Sequence, residues 1–284
     1  MSIYGKLEIK NMTRKEFDIA INWAAEVGWN PGLNDAECFF AADPNGYFMV
    51  FDDGEPVGCA SAVAYTQEYG FMGFFIVKPL YRGGRIGLLA GGAALDYLGE
   101  RVVGIDGVEK KVKNYQHYGF KMMYHNIRYE GVAIIGRNFP KNIKPLSELP
   151  FEQVVAYDAI HFSAPRPEFL SLWIKQPESA ALAIIKHDRI AGYGVIRACQ
   201  KGYKIGPLFA DDEDLAEELF LGLISEIKPE SVYYLDIPEI NIEAVELAKR
   251  YHMRPVFMTA RMYKNGTVSL PMHTIFGVTS FELG

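Results

Sequence analysis

The sequence predicts a mixed α/β protein, with a mixed sheet, built from two tandem copies of one domain. The order of predicted elements is the same before and after a proline-containing stretch at 137–150, and short motifs recur at matching places. "GEPVGCASAVAY" parallels "DRIAGYGVIRAC", and "YGFKMMYHNIRY" parallels "YHMRPVFMTARMY" with one residue inserted. The repeat is far longer than that of a solenoid, so we expect domains at 1–136 and 151–284, joined by the linker 137–150.

In the first half, hydrophobic periodicity and turn residues predict the order β-α-α-β-β-β-α-β-α-β. After the strand "LEIK", the capping box from Thr13 to Glu16 opens a helix, and Asn34 caps a second, short helix. Asp53-Gly54 marks the turn of a hairpin. The remaining elements are a strand "FMGFFIV", a helix from Ile86 to Leu98, a strand "VVGID", a helix from Glu109 to Tyr118 and a strand "FKMMYHNIRYE".

The second half repeats this order. Its predicted elements are helices from Phe151 to His161 and from Pro167 to Gln176, a hairpin "AALAIIKHDRIAGYGVIRAC", a strand "YKIGPLFA", a helix from Asp211 to Ile227, a strand "VYYLDI", a helix from Ile242 to Tyr251 and a strand "VFMTARMY". The ending "TIFGVTSFELG" predicts a last buried strand.

Composition excludes several classes of protein. A net charge of −6 is not the charge of a nucleic-acid binder. The three cysteines, Cys38, Cys59 and Cys199, are too scattered for a disulfide framework or a CxxC metal site, and the six histidines show no paired-ligand spacing. "MSIYGKLEIK" is not a signal peptide, and no apolar run reaches the length of a membrane span. We expect a soluble, cytoplasmic protein without a metal, nucleic-acid or membrane partner, as a monomer or a homodimer.

The stretch "FFIVKPLYRGGRIGLLAGG" leads from a strand through a glycine-rich turn into a helix. Free backbone N–H groups and the positive end of the helix dipole make such a junction an anion site. The pattern is neither a P-loop nor a dinucleotide fingerprint. A second interpretation stays open, in which the glycines only allow a tight turn and close helix packing.

The residues Val77-x-Pro79-x-x-Arg82-Gly83-x-x-Ile86-Gly87 resemble the pyrophosphate loop of the GNAT acyltransferases, which bind acetyl-CoA. The pattern of that family is Q/R-x-x-G-x-G/A, and here Arg85 replaces the middle glycine. The resemblance implies that the loop holds the CoA pyrophosphate and that the preceding strand pairs with the pantetheine arm. The residues it implies for acetyl-CoA are Phe75, Ile76, Val77, Arg82, Gly83, Gly84, Arg85, Ile86, Gly87, Asn114 and Tyr118.

A second motif of the family is a Tyr four residues before a Gly-Phe pair, which here is Tyr115 before Gly119-Phe120. The resemblance implies that Tyr115 protonates the departing CoA thiolate, and a hydroxyl held at the sulfur suits that chemistry. In the alternative interpretation, which stays open, Tyr115 is an ordinary residue of an amphipathic helix without a catalytic role. The family often has an Asn seven residues earlier, where this sequence has Val108, so Asn114 is the replacement we expect.

The second half lacks these features. After "YKIG" it reads "PLFADDEDLAEEL", and the acidic residues from Asp211 to Asp214 suit a helix N-terminus but repel a pyrophosphate. Ala248 stands where Tyr115 lies in the first half. The chain as a whole resembles a two-domain GNAT subfamily, through "GWNPGLNDA", "SAPRPEFLSLW", "GYKIGPLFAD" and "FGVTSFELG". We therefore expect a degenerate second domain that binds no CoA and shapes the acceptor site.

The acceptor side is less defined. The attacking amine must lose a proton, and many GNAT domains use a Glu on the fourth strand as the base. The fourth strand of this sequence has no acid, and Glu68 just before it is the nearest candidate. In the alternative interpretation, Glu68 is only an exposed residue at the end of the strand. Residues on breaks between elements are candidates for contact with the acceptor, against structural or surface roles for each. They are Trp29, Asn30, Tyr65, Arg166, Arg197 and Tyr203, with Lys204 beside them.

The resemblance implies an N-acetyltransferase that moves an acetyl group from acetyl-CoA directly to the primary amine of a small or amino-acid-like molecule. Several basic groups at the cleft would favour an acceptor with a carboxylate. Two alternatives stay open, a non-catalytic acyl-CoA sensor and an interaction protein that keeps only the fold.

Overall fold

A computed structural model of the chain describes residues 4–133 and 143–284. The strands are β1 (Leu7–Asn11), β2 (Tyr47–Asp52), β3 (Glu55–Ala64), β4 (Tyr69–Val77), β5 (Val102–Val108), β6 (Lys121–Val132), β7 (Ile143–Pro145), β8 (Ser179–Lys186), β9 (Arg189–Ala198), β10 (Tyr203–Ala210), β11 (Val232–Pro238), β12 (Arg254–Lys264) and β13 (Ile275–Gly277). The helices are α1 (Arg14–Glu26), α2 (Asp35–Ala42), α3 (Arg85–Leu98), α4 (Val112–His117), α5 (Phe151–Phe162), α6 (Pro167–Trp173), α7 (Glu213–Ser225) and α8 (Ile242–Arg250).

The described strands form one mixed sheet in the order β1-β2-β3-β4-β5-β12-β6-β11-β10-β9-β8-β7, with β13 on β10. The two halves have exchanged strands. The last long strand of the second half, β12, lies against β5 of the first, and β6 of the first half lies against β11 of the second. The exchange joins the halves through backbone hydrogen bonds, with β6 and β12 paired at the centre.

Helices cover both faces of the sheet. The helices α1, α2, α5 and α6 share one core that draws on both halves, in which Phe39 stacks on Trp173 with ring centroids 5.8 Å apart. The helices α3 and α4 of the first half, and α7 and α8 of the second, cover the opposite face, because alternate side chains of a strand point to opposite sides. We call the face under α1, α2, α5 and α6 the shared face.

Two buried ion pairs occupy equivalent places in the exchanged strands. Arg128 on β6 donates from Nε and Nη2 to Asp236 on β11, both at 2.7 Å. Arg261 on β12 donates to Asp106 on β5 at 3.0 and 2.6 Å. Each bidentate pair bridges the two halves, so the exchange is fixed by side chains as well as by the backbone.

The Arg261→Met substitution is expected to lower the free energy of unfolding by about 3–5 kcal/mol, because it leaves a buried carboxylate without its cation. The Asp106 side chain is 0% exposed. A matched control is Arg254→Met, which breaks the exposed pair with Glu130 and is expected to cost much less, because solvent screens that pair. Urea unfolding measures both values, and equal losses would contradict the bridging role of Arg261.

Two sequence predictions differ from the structure at their ends. The predicted last strand is extended only over Ile275–Gly277, and a turn covers residues 281–283. Part of the predicted linker, 137–142, lies outside the described residues, and the rest forms β7 on the sheet edge and one 3-10 turn, Leu146–Glu148. The residues after Gly277 therefore leave the sheet instead of continuing it.

Candidate active site

The strands β4 and β5 separate part of the way along. They pair in parallel only where Tyr69–Phe71 faces Val102–Gly104. Beyond that point β5 continues to pair with β12 on its other edge, and β4 with β3. The described residues 72–77 and 105–108 therefore border a cleft with backbone groups on both sides, open to an extended ligand.

A bulge in β4 marks the point where the cleft begins. Three residue steps from Gly73 to Ile76 face two steps from Cys59 to Ser61 on β3. The buried Phe74 in this bulge has a φ of 45°, a left-handed conformation that a bulky side chain seldom adopts. Such strain is held at a position by its surroundings and is common at functional sites.

The cleft ends at the N-terminus of α3. After β4 the chain makes a 3-10 turn, Pro79–Tyr81, and Gly83 follows with a φ of 78°, a conformation that glycine adopts without strain. Gly84 is the N-cap of α3, and no side chain of the described residues caps it with a hydrogen bond. The amides of Arg85, Ile86 and Gly87 are thus free to bind an anion at the positive end of a 14-residue helix.

The two arginines of the turn lie at the surface beside this helix end. Arg82 is exposed and donates from Nε to the Val77 carbonyl at 3.0 Å. Arg85 is the first helical residue and is exposed, and its φ is not positive, so the family's middle glycine is not required by the backbone here.

The Arg85→Gly substitution is accordingly expected to change acetyl-CoA affinity by no more than about 3-fold, because the anion is bound by amides that every residue except proline supplies. Calorimetric titration with acetyl-CoA measures the dissociation constant. A loss of 100-fold or more would show that the Arg85 side chain carries the binding.

Small residues on α3 let the helix lie directly over β4. A side-chain carbon on Gly87 or Gly91 would sit 3.5 Å from the Phe75 ring, an ordinary contact distance. Phe75 and Val77 pack beneath α3, whereas Ile76 points to the shared face. The strand predicted to contact the pantetheine arm therefore presents its backbone to the cleft and its side chains to the two cores.

Tyr115 lies on the β5 side of the cleft, on the same face as α3. Its ring packs so closely on Gly107 that a side-chain carbon there would be 2.7 Å from the ring. Burial raises the pKa of Tyr115 to about 12, and among the described residues no group hydrogen-bonds to its hydroxyl. Asn114 and Tyr118 are exposed on or just after α4, and the Tyr118 carbonyl accepts from Lys264 Nζ at 2.9 Å.

The equivalent cleft of the second half is filled by the protein itself. The strands β10 and β11 pair over Tyr203–Ile205 and then separate, but β13 enters the gap. Gly277 pairs with Leu208 of β10, and the Val278 amide donates to the Asp236 carbonyl of β11 at 2.9 Å. No extended ligand fits between these strands while β13 is in place.

The helix that follows, α7, has its N-terminus capped. Asp212 accepts a hydrogen bond from the Leu215 amide at 2.9 Å, and Glu213 and Asp214 add negative charge to the first turn. The carboxylates at this helix end already occupy the place of a bound anion and would repel a second one. The structure thus carries one open, uncapped cleft and one filled, capped counterpart.

The same C-terminal segment then crosses to the first half. The Tyr65 hydroxyl donates to the Leu283 carbonyl at 2.9 Å, and the Glu282 carbonyl oxygen rests on the backbone of Gly73, where any side chain would collide with it. Burial raises the pKa of Tyr65. Residues 280–284 therefore lie on the shared face directly at the bulge of β4.

Several buried polar atoms near the centre of the sheet and in the C-terminal segment have no partner. Ser61 Oγ, Asn126 Oδ1, Thr259 Oγ1 and both carboxylate oxygens of Glu282 have no hydrogen-bond partner among the described residues. Natural proteins leave few such atoms unsatisfied, and each indicates bound water or a ligand. We define the interdomain polar cluster as Ser61, Asn126, Arg128, Lys204, Thr259 and Glu282.

A cavity between the halves lies on the same face. Its walls include Tyr69, Tyr124 and Arg261 from the sheet, Phe162 from α5, and Gly284. His161 also lines it, and burial lowers the pKa of this imidazole, which keeps it neutral at pH 7. The cavity volume is about 20 Å³, which is room for a water molecule and far less than a small-molecule site offers.

The sequence-predicted acceptor residues separate into two groups. Trp29 contributes its carbonyl to the polar cluster, accepting from Arg128 Nη1 at 2.9 Å and from Lys204 Nζ at 3.2 Å. Asn30 ties its loop to the second half through two hydrogen bonds with the backbone of Lys201. The loop after α1 is thus an anchor between the halves as well as a border of the site.

The other predicted residues have structural partners. Arg166 is bound by Asp158 at 2.8 Å, and Arg197 by Asp35 at 2.8 Å, each pair fully buried. Tyr203 packs against the helix layer of α7 and α8, and Glu68 is exposed at the start of β4, before the paired section. These placements favour the structural and surface alternatives that the sequence left open for these residues.

Sequence reasoning missed the central residues of the shared face. The signal was present as polar residues at alternate positions of otherwise apolar strands, "NIR" in β6 and "TAR" in β12. Glu282 gave no such signal, because only the fold brings the last turn to β4.

The comparisons with known proteins identify the class of protein. Residues 10–120 match the acetyltransferase (GNAT) family, and residues 154–277 match an acetyltransferase (GNAT) domain. Both halves are therefore recognised, and the chain belongs to the GNAT superfamily as a two-domain member. Its activity class is acyltransferase.

Individual relatives share this layout. Holothin acyltransferase from Pseudoalteromonas sp. (strain SANK 73390) is 28% identical over 275 residues, which are 97% of this chain and 94% of that protein. A putative acetyltransferase from Pyrococcus horikoshii superimposes with a TM-score of 0.84 at 21% identity, over 100% of this chain and 98% of that one. A tandem GNAT protein from the clavulanic acid biosynthesis pathway gives 0.62 at 12% identity, over 93% and 100%.

Two features are absent from the described residues. None of their helices is long and apolar enough to cross a membrane. No three of their His, Cys, Asp or Glu side chains are grouped as metal ligands would be.

Proposed function

We propose that the chain is an acetyl-CoA-dependent N-acetyltransferase that acetylates the primary amine of a small molecule. The observation that carries the proposal is the contrast between the halves. The first half has an open β4–β5 cleft ending at an uncapped helix, and the second half fills and caps the same place.

The donor site follows from this geometry. The amides from Arg85 to Gly87 bind the pyrophosphate, with Arg82, Gly83 and Gly84 forming the turn below it. The backbone of Phe75, Ile76 and Val77 lies along the pantetheine arm, and Asn114 and Tyr118 contact the donor from their exposed positions on and just after α4. The bound donor supplies an acetyl thioester at the bulge of β4.

Tyr115 is the proton donor in this proposal. A pKa of about 12 keeps its hydroxyl protonated at every physiological pH, and its lack of an internal partner leaves it free to donate to the CoA sulfur. The acceptor approaches from the shared face, where the Glu282 carbonyl and Ser61 of the interdomain polar cluster lie against Gly73 of the bulge. The relative named for acyl transfer to holothin supports acyl transfer as the reaction.

The experiment is release of CoA thiol from acetyl-CoA in the presence of a panel of primary amines, including amino acids, with calorimetric binding of acetyl-CoA measured beside it. We expect binding, and turnover with some amines of the panel. Tight binding without turnover on the whole panel would favour a sensor of acyl-CoA. Failure to bind acetyl-CoA would favour an interaction protein that keeps only the GNAT fold.

A further inference from the structure

We propose that Glu282 is the catalytic base, receiving the proton of the acceptor ammonium at the bulge of β4. The inference rests on the proposed function and deepens it, since it assigns the group that activates the amine and thereby a cationic, primary-amine acceptor. Glu68 was the sequence-predicted candidate for this role, and it lies about 16 Å of strand away from Gly73.

The carboxylate of Glu282 is buried without a partner. The residue is 3% exposed, and both Oε1 and Oε2 lack a hydrogen-bond donor among the described residues. A buried carboxylate in this condition costs several kcal/mol, which a protein seldom tolerates unless a ligand or water satisfies it. An ammonium with three N–H donors supplies what these two oxygens lack.

The backbone of Glu282 reaches the strand that borders the donor cleft. The Glu282 backbone lies on Gly73, at the first residue of the bulge, where the donor cleft begins. The strand itself carries no acid between Tyr69 and Val77. The fold therefore brings an acid from the other end of the chain to the strand that lacks one.

The surrounding cations do not neutralise this carboxylate by contact. Arg128 and Lys204 are close enough to interact electrostatically with Glu282, as is Arg197. Arg128 and Arg197 are paired with Asp236 and Asp35, and Lys204 donates to the Trp29 carbonyl. The two carboxylate oxygens of Glu282 therefore have no hydrogen-bond donor from these cations.

The proton balance is complete with groups already named. The ammonium gives one proton to Glu282, and the neutral amine attacks the thioester carbonyl carbon. A C–N bond forms and the C–S bond breaks. The Tyr115 hydroxyl gives its proton to the CoA thiolate and regains one from the second proton that the nitrogen loses. The first proton leaves from Glu282 to solvent, so that one proton ends on the thiol and one in solvent.

The test is Glu282→Gln, which keeps the size of the side chain and removes the base. With the amine that wild-type protein acetylates best, kcat/KM at pH 7 is expected to fall by about 10²–10⁴-fold, with acetyl-CoA affinity unchanged. As the pH is raised, the ratio of wild-type to variant kcat/KM should fall about tenfold per pH unit, because the solution supplies more of the neutral amine. This fall should end near the pKa of the amine, about 10.4 for an alkylamine. Glu100→Gln, an exposed residue before β5, is the control and should equal wild type.

A structural role is separated by a double variant. If Glu282 only balances the charge of Lys204, Glu282→Gln lowers the melting temperature, and Glu282→Gln with Lys204→Met restores both stability and activity. We expect the double variant to stay inactive at pH 7. Restored activity, or wild-type turnover by Glu282→Gln, would overturn the role of Glu282 and leave the proposed function intact. Absence of turnover by wild-type protein with every amine would overturn both.

Discussion

The Gly87→Glu variant is expected to lose acetyl-CoA binding, with the dissociation constant raised ~100-fold or more. Gly87 lies in the first turn of α3, where free amides and the helix dipole attract the pyrophosphate. A carboxylate at this position brings a like charge to the anion and can itself bind the free amides. Calorimetric titration with acetyl-CoA measures the loss.

The matched control is Gly87→Ala. A methyl group at this position makes only ordinary contacts, at 3.5 Å from Phe75 and 3.8 Å from Val77, and alanine favours a helix over glycine. We expect a fold at least as stable as wild type. If Gly87→Glu bound acetyl-CoA with wild-type affinity, the proposal that the pyrophosphate binds at this helix end would be wrong.

The Tyr115→Phe variant is expected to lower kcat by about 10²–10³-fold while leaving acetyl-CoA affinity within about 3-fold. The ring packs on Gly107 and Phe120 through its carbon atoms, so phenylalanine preserves the packing. What is lost is the hydroxyl that donates to the sulfur as negative charge develops on it. Steady-state thiol release gives kcat, and calorimetry gives the affinity.

The pH dependence gives a second readout for Tyr115. A group whose pKa is raised to about 12 stays protonated as pH rises through 10, so wild-type kcat should show no falling limb below pH 10 from this residue. A falling limb near pH 8 in wild type that disappears in Tyr115→Phe would contradict the buried-hydroxyl assignment. An unchanged kcat in Tyr115→Phe would contradict its role as proton donor.

The local elements of the proposed donor cleft were predictable from the sequence. The strand, the glycine turn and the helix are consecutive, and helix capping follows from neighbouring residues, so "YRGGRIG" and "ADDED" already contained the contrast between open and capped helix ends. The structure adds the backbone reason, the early separation of β4 from β5, and the filling of the second cleft by β13.

The acceptor side was not predictable, because it depends on contacts between distant segments. The exchange of β6 and β12 places Arg128 against Asp236 and Arg261 against Asp106, pairs that lie more than a hundred residues apart. Glu282 reaches Gly73 only because the tail leaves the sheet after β13. Periodicity identifies which residues are buried but not which buried groups face each other.

The central claim is that one half binds the acyl donor and the other cannot. Hydrogen–deuterium exchange measured with and without acetyl-CoA tests it most directly, because amides that bind phosphate or pair with the pantetheine arm exchange more slowly. We predict protection of residues 74–98, at the cleft and the start of α3, and none at 205–225 around α7. Protection at 205–225, or none at 74–98, would contradict it.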